Sequence, residues 1–94
     1  MKNPVYRNKF KKEYKDSQKN PIERKNVDEL KFVMTKLQNG EKLPDKYQDH
    51  ALHGEYKDCR SCHILPDWIL IYRIEEKENE IHFLRLGSHA NLYE

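Results

Sequence analysis

Four of the five histidines, His50, His53, His63 and His89, fall where periodic segments end, and Asp67 lies in the same stretch as His63. Loops and strand ends are where a rigid scaffold presents reactive groups. An imidazole with an unperturbed pKa of about 6.5 can take or give a proton near neutral pH, so the set has the makings of an acid–base site. Any one of these histidines taken alone is better read as an ordinary surface or packed residue; the set is what points to chemistry. Arg85 stands inside the apolar run 81–86, where a guanidinium is out of place unless its charge reaches a mouth or a partner. Its planar fork suits a phosphate held by two hydrogen bonds, and the alternative is an edge-strand residue that discourages aggregation. Trp68 and Tyr93 offer faces for base stacking, with Trp68 better suited to the core.

Cys59-Arg-Ser-Cys-His63 matches the C-x-x-C-H pattern of haem attachment. Three features oppose that reading. Lys2, Arg7, Lys9, Lys11 and Lys12 break any apolar run an export signal would need, the segment reads as strand, and strand alternation sends Cys59 and Cys62 to opposite faces. Zinc would require two further ligands from scattered histidines. The cysteines are therefore read as reduced residues of a cytoplasmic protein, and no metal or cofactor is assigned.

The elements that must carry these groups follow from periodicity. Residues 7–19 read as a helix, with Tyr6, Phe10 and Tyr14 on one side and lysines on the other, stopped by Asn20-Pro21. Residues 27–38 read as a second helix. Asn26 is placed to cap it, Glu29 to complete a capping-box-like pair, and Asn39-Gly40 to give a left-handed exit, with Leu30, Val33, Met34 and Leu37 as the buried stripe. Residues 41–54 read as a long ordered loop, the kind that is often functional. Strands are expected over 55–65, 68–75 and 80–87, the middle one central because Trp68-Ile-Leu-Ile-Tyr72 is continuously apolar, and residues 76–79 form a hairpin turn. A short strand near Val5 is expected to join the sheet. The fold class is α+β: a helical hairpin on a small, mainly antiparallel sheet, in one domain over residues 1–94.

Composition limits the function classes. With 94 residues, 36% apolar and 36% charged, the chain builds one thin core, and ten aromatics argue against disorder. No apolar run is long enough to span a membrane. The net charge of +2 is unevenly spread: residues 1–26 hold nine Lys and Arg against three Asp and Glu, and the remainder nine against thirteen. That balance of +6 followed by −4 suits a polyanionic partner, although composition alone favours the simpler reading of a solvated lysine-rich helix face.

Three stretches then become recognisable in order: Leu43-Pro-Asp-Lys-Tyr-Gln-Asp-His-Ala-Leu-His-Gly54, Cys62-His-Ile-Leu-Pro-Asp-Trp-Ile-Leu-Ile-Tyr72 and Arg85-Leu-Gly-Ser-His-Ala-Asn-Leu-Tyr93. Together they resemble the YafQ family of toxins within the RelE-like superfamily. The resemblance implies a RelE-type fold, a toxin of a type II toxin–antitoxin system, an antitoxin that wraps it, and cleavage of mRNA in the ribosomal A site. Carried over by position, it implies catalytic roles for His50, His63, Asp67 and His89, a phosphate-binding place for Arg85, and a C-terminal aromatic at Tyr93, where the family often has Phe.

This residue set fits cleavage without a metal. An RNA 2′-hydroxyl attacks the adjacent phosphorus, and the reaction needs a base, a cationic clamp and an acid. Asp67 or His50 is expected as the base or the group orienting it, Arg85 and His63 on the phosphate, and His89 as acid to the leaving 5′-oxygen. Two other readings stay open: a RelE-fold toxin that binds DNA gyrase without nuclease activity, and a binding module that has lost catalysis.

Overall fold

The computed structural model describes residues 1–93. Five strands form one sheet in the order β1-β5-β4-β3-β2: β1 Asn3–Tyr6, β2 His50–Ala51, β3 Arg60–Leu65, β4 Trp68–Glu75 and β5 Glu80–Gly87. β1 runs parallel to β5 and all other pairs are antiparallel. The expected α+β class, the hairpin-on-sheet arrangement and the central place of β4 all hold.

β4 is apolar without alternation because both its faces are covered. Leu70 and Tyr72 join the larger core with Phe10, Leu30, Val33, Cys62 and Phe83 beneath the helices. Ile69 and Ile71 turn to the opposite face, where they meet Cys59 and Leu92. The cysteines therefore lie on opposite faces, as strand alternation requires. Both are buried free thiols, and burial raises the pKa of each.

The helices are α1 Asn8–Ser17, α2 Pro21–Lys25, α3 Val27–Gln38 and α4 His89–Tyr93. Tyr6, Phe10 and Phe83 stack from β1 through α1 to β5, with centroids 5.8–6.0 Å apart, which seats α1 on the sheet. α3 leaves through Gly40 at φ 72, where the Glu41 and Gly40 amides close back on the carbonyls of Lys36 and Leu37. Glycine takes that backbone conformation at no steric cost.

Several expectations change. Asn20-Pro21 ends α1 but also starts α2: Pro21 occupies the first turn, where its missing amide costs nothing, and the Asn20 side chain accepts from the amides of Ile22 and Glu23. Asn26 does not cap α3, because its side-chain amide donates back to the Ile22 carbonyl of α2. Nor does Glu29 close a capping box; it accepts the Tyr47 hydroxyl, and burial with that bond pushes the Tyr47 pKa up to about 12. The 41–54 stretch is not all loop, since it holds a 3-10 turn at Asp45–Tyr47 and the two-residue β2. β3 begins five residues later than expected, after a 3-10 turn at Gly54–Tyr56 and a left-handed Asp58. No helix among the described residues is long and apolar enough to cross a membrane.

Leu30 has no solvent exposure and Ile22 is 66% exposed. Leu30→Ala is expected to destabilise the protein by about 2–5 kcal/mol, and Ile22→Ala by no more than about 0.5 kcal/mol, in urea unfolding followed by tryptophan fluorescence.

Candidate active site

The register of three strands brings the reactive groups together. β3 and β4 are joined by the two-residue turn Pro66-Asp67, with Leu65 opposite Trp68, so Asp67 projects from the tip of a tight hairpin. β5 pairs with β4 so that Gly87 lies opposite Ile69. The chain leaving β5 therefore starts α4 beside that tip, and the first residue of α4 is His89.

Asp67 Oδ1 accepts two hydrogen bonds from His89, one from the backbone amide at 3.0 Å and one from ring Nδ1 at 3.2 Å. These bonds, the backbone one foremost, hold the Asp67 pKa below the usual carboxylate range despite its exposure. A carboxylate can only accept, so Nδ1 of His89 carries the hydrogen and Nε2 is left for a substrate. The same logic fixes two more tautomers. His63 Nδ1 donates to the Pro66 carbonyl at 3.2 Å, and His50 Nδ1 donates to the Gln48 carbonyl at 2.8 Å. In the neutral form of either ring, Nε2 is then the nitrogen without a hydrogen.

The His63 and His89 rings lie 5.3 Å apart, and Tyr93 sits one helical turn on, 5.6 Å from His89. Tyr93 is 42% exposed. Clefts of about 400 Å³ and about 660 Å³ flank the hairpin tip, the first bordered by His63, Pro66 and Gln48, the second by Asp67, Arg85 and Ser88. His50 is placed by β2, which pairs it with Ser61 two residues before His63, and its Nε2 lies 3.4 Å from the Ser61 hydroxyl. Of the expected residues, His63, Asp67, His89 and Tyr93 form one group, with His50 farther along β3. Arg85 is turned toward Glu13 of α1, 2.9 Å away at two oxygens. Trp68 is core, 1% exposed.

Three supporting residues gave no readable sequence signal. Asp49 accepts the Tyr72 hydroxyl at 2.7 Å and Arg60 Nε at 3.2 Å, tying the segment before His50 to the sheet. Glu23, which lines the larger cleft, has its pKa raised by burial and by the charge of Asp67. Glu13 lies in a lysine-rich helix that reads as a solvated face. α4 was also missed, although Ser88 before it supplies a cap: its hydroxyl accepts the Asn91 amide at 3.3 Å.

A helix hairpin over a small mixed sheet, with histidines and an aspartate at the strand ends, defines a RelE-like toxin domain. A model of the bacterial toxin YafQ of type II toxin–antitoxin systems matches residues 2–94, and the chain belongs to that family. The mRNA interferase toxin YafQ of Escherichia coli K12 is 40% identical over 89 residues, covering 94% of this chain and 91% of its own length. A metal-bound toxin from Helicobacter pylori superposes with a TM-score of 0.90 at 38% identity, covering 99% of this chain and all of that one. YafQ in the E. coli DinJ–YafQ complex superposes at 0.86 with 38% identity, each chain fully covered. The gyrase-binding alternative is not favoured, since the relatives are named mRNA interferases.

The backbone amide is the chief reason for the depressed Asp67 pKa, which leads to a specific titration. By ¹³C NMR, Asp67 is expected to titrate below about 3.9, the usual aspartate value, and to remain depressed in His89→Ala, where the amide at position 89 still donates. Because the folded pKa is lowered, ionised Asp67 favours the fold above the unfolded value, and that contribution disappears as pH falls through the folded one. A return to the ordinary value in His89→Ala would assign the shift to the ring instead.

Proposed function

We propose that this chain is a cytoplasmic endoribonuclease toxin that cuts mRNA in the ribosomal A site and is silenced by a cognate antitoxin bound over the site. The observation that carries the reading is the His89–Asp67 pair with His63 beside it, at the tip of a rigid hairpin. The names of the relatives support it: one is an mRNA interferase, and another is found in complex with DinJ, a toxin–antitoxin pair.

The proton chemistry divides among the residues as follows. Asp67, with its lowered pKa, is a weak base near neutral pH and a good acceptor, and it orients the His89 ring. His50, its Nε2 unprotonated, takes the proton of the RNA 2′-hydroxyl as that oxygen attacks the adjacent phosphorus. His63, when protonated, donates to the phosphoryl oxygens as charge builds on them. The bond from phosphorus to the 5′-oxygen breaks, and His89 Nε2 supplies its proton. The products are a 2′,3′-cyclic phosphate and a free 5′-hydroxyl. Tyr93 stacks on a neighbouring base, and the exposed lysines of α1, Lys9, Lys11, Lys12 and Lys15, meet the phosphates of the ribosome or the message. A phosphate contact from Arg85 would require Glu13 to let go.

No metal enters this scheme, because RNA brings its own nucleophile and imidazoles move the protons. Stoichiometric metal in the purified protein, together with loss of activity in a Cys59→Ser, Cys62→Ser double variant, would overturn that part.

On translating ribosomes, alanine at His50, His63, Asp67 or His89 is expected to slow cleavage by about 100-fold to 10,000-fold while leaving the fold intact, as checked by circular dichroism. A message with one 2′-deoxy sugar just 5′ of the scissile phosphate should occupy the A site yet resist cutting there. Cutting at an undiminished rate would show that water or a protein group attacks.

A further inference from the structure

Every arm of the Arg85 guanidinium is already directed at the protein. Nε and Nη2 donate to the two oxygens of Glu13, each at 2.9 Å, Nη1 donates to the Tyr56 hydroxyl at 3.0 Å, and Nη2 also approaches the Asn91 carbonyl at 3.4 Å. Glu13 Oε1 accepts the Leu86 amide as well, at 3.1 Å, where β5 has run past its pairing with β1. Tyr56 completes the chain: its hydroxyl donates to the Leu92 carbonyl at 3.4 Å and its ring meets Tyr93 edge-on. Glu13 comes from α1, Arg85 from β5 and Tyr56 from the turn before β3, and all three converge on the end of α4.

α4 has five residues, too few to persist as a helix by itself, and its last carbonyls have no partner within the helix. Arg85 and Tyr56 supply those partners at Asn91 and Leu92, while Asp67 and Ser88 hold the first turn. The helix is thus tied at both ends, and it carries both His89 and Tyr93.

We infer that Glu13, Arg85 and Tyr56 form a positioning relay that caps α4 and so fixes His89 against Asp67. Arg85 then serves the reaction through α4. This rests on the reading of His89 as an RNA-cleaving residue given above. A displacement of about 1 Å in a reacting group costs on the order of 100-fold in rate, so loosening one tie is enough to be read kinetically.

The test uses Tyr56→Phe, which removes one hydroxyl, and Glu13→Gln, which keeps the shape of the side chain. On programmed ribosomes each is expected to lower the maximal cleavage rate by about 10-fold to 100-fold with the half-saturating toxin concentration unchanged, and neither should slow a His89→Ala protein further. Amide hydrogen exchange at His89 should quicken by about tenfold or more in Tyr56→Phe. Faster cleavage by Glu13→Gln would show that Glu13 masks a phosphate-binding Arg85 and would overturn the relay. So would a rise in half-saturating concentration at constant rate, a full loss in the His89→Ala background, or unchanged exchange at His89. A wild-type protein that cuts no RNA would instead sink the proposed function, and the exchange measurement would still decide whether the relay holds α4.

Discussion

The burial of β4 on both faces is the constraint on which the rest of the structure depends. From Trp68 to Tyr72 no side chain of this strand meets solvent, so a chain of 94 residues must cover the sheet twice. The first cover is built by α1 and α3 over Leu70 and Tyr72. The second is thin, consisting of Leu92 of α4 with Leu52 and Tyr56 from the segment before β3, over Ile69 and Ile71. Because Leu92 comes from the chain that leaves β5, its part in covering the core also places His89 at the start of the same helix.

A small domain with so thin a second layer has little freedom to add residues that only position others. The economy shows in the hydrogen bonds. Asp67 satisfies an orphan amide at the start of α4 with the same oxygen that orients the His89 ring. Pro66 and Gln48 use backbone carbonyls to set the tautomers of His63 and His50. Asp49 takes the buried Tyr72 hydroxyl, whose pKa burial raises, and in doing so anchors the approach to His50. The Asp49 bond satisfies a part-buried hydroxyl that would be costly to leave unpaired, and the others, at the surface, aim imidazoles.

The charge distribution fits a toxin whose target and inhibitor are both macromolecules. Of the exposed lysines of α1, Lys12 lines the larger cleft with Asp67, whose carboxylate is engaged by His89. The internal pair, Glu13 with Arg85, is under one-fifth exposed at both side chains, and its bidentate geometry makes it a fixed strut rather than part of that solvated face.

The amino-acid sequence by itself determined the elements that periodicity governs: α3 at its observed bounds, β4 and β5 at theirs, the short β1, the central position of β4 and the opposite faces of the two cysteines. It also marked the strand-end histidines and Asp67, since these residue types in their order carry the family resemblance. Only the tertiary structure decided what depends on neighbours distant in the chain. Asn26 has the chemistry of a cap for α3 and is used by α2, because two helices compete for one side chain. The five residues of α4 have no helical period to read and exist through contacts with Asp67, Tyr56 and Arg85. Arg85 looked destined for a mouth or a partner, and its partner is Glu13, 72 residues away, because a guanidinium that lies partly buried must find its acceptors wherever the fold brings them.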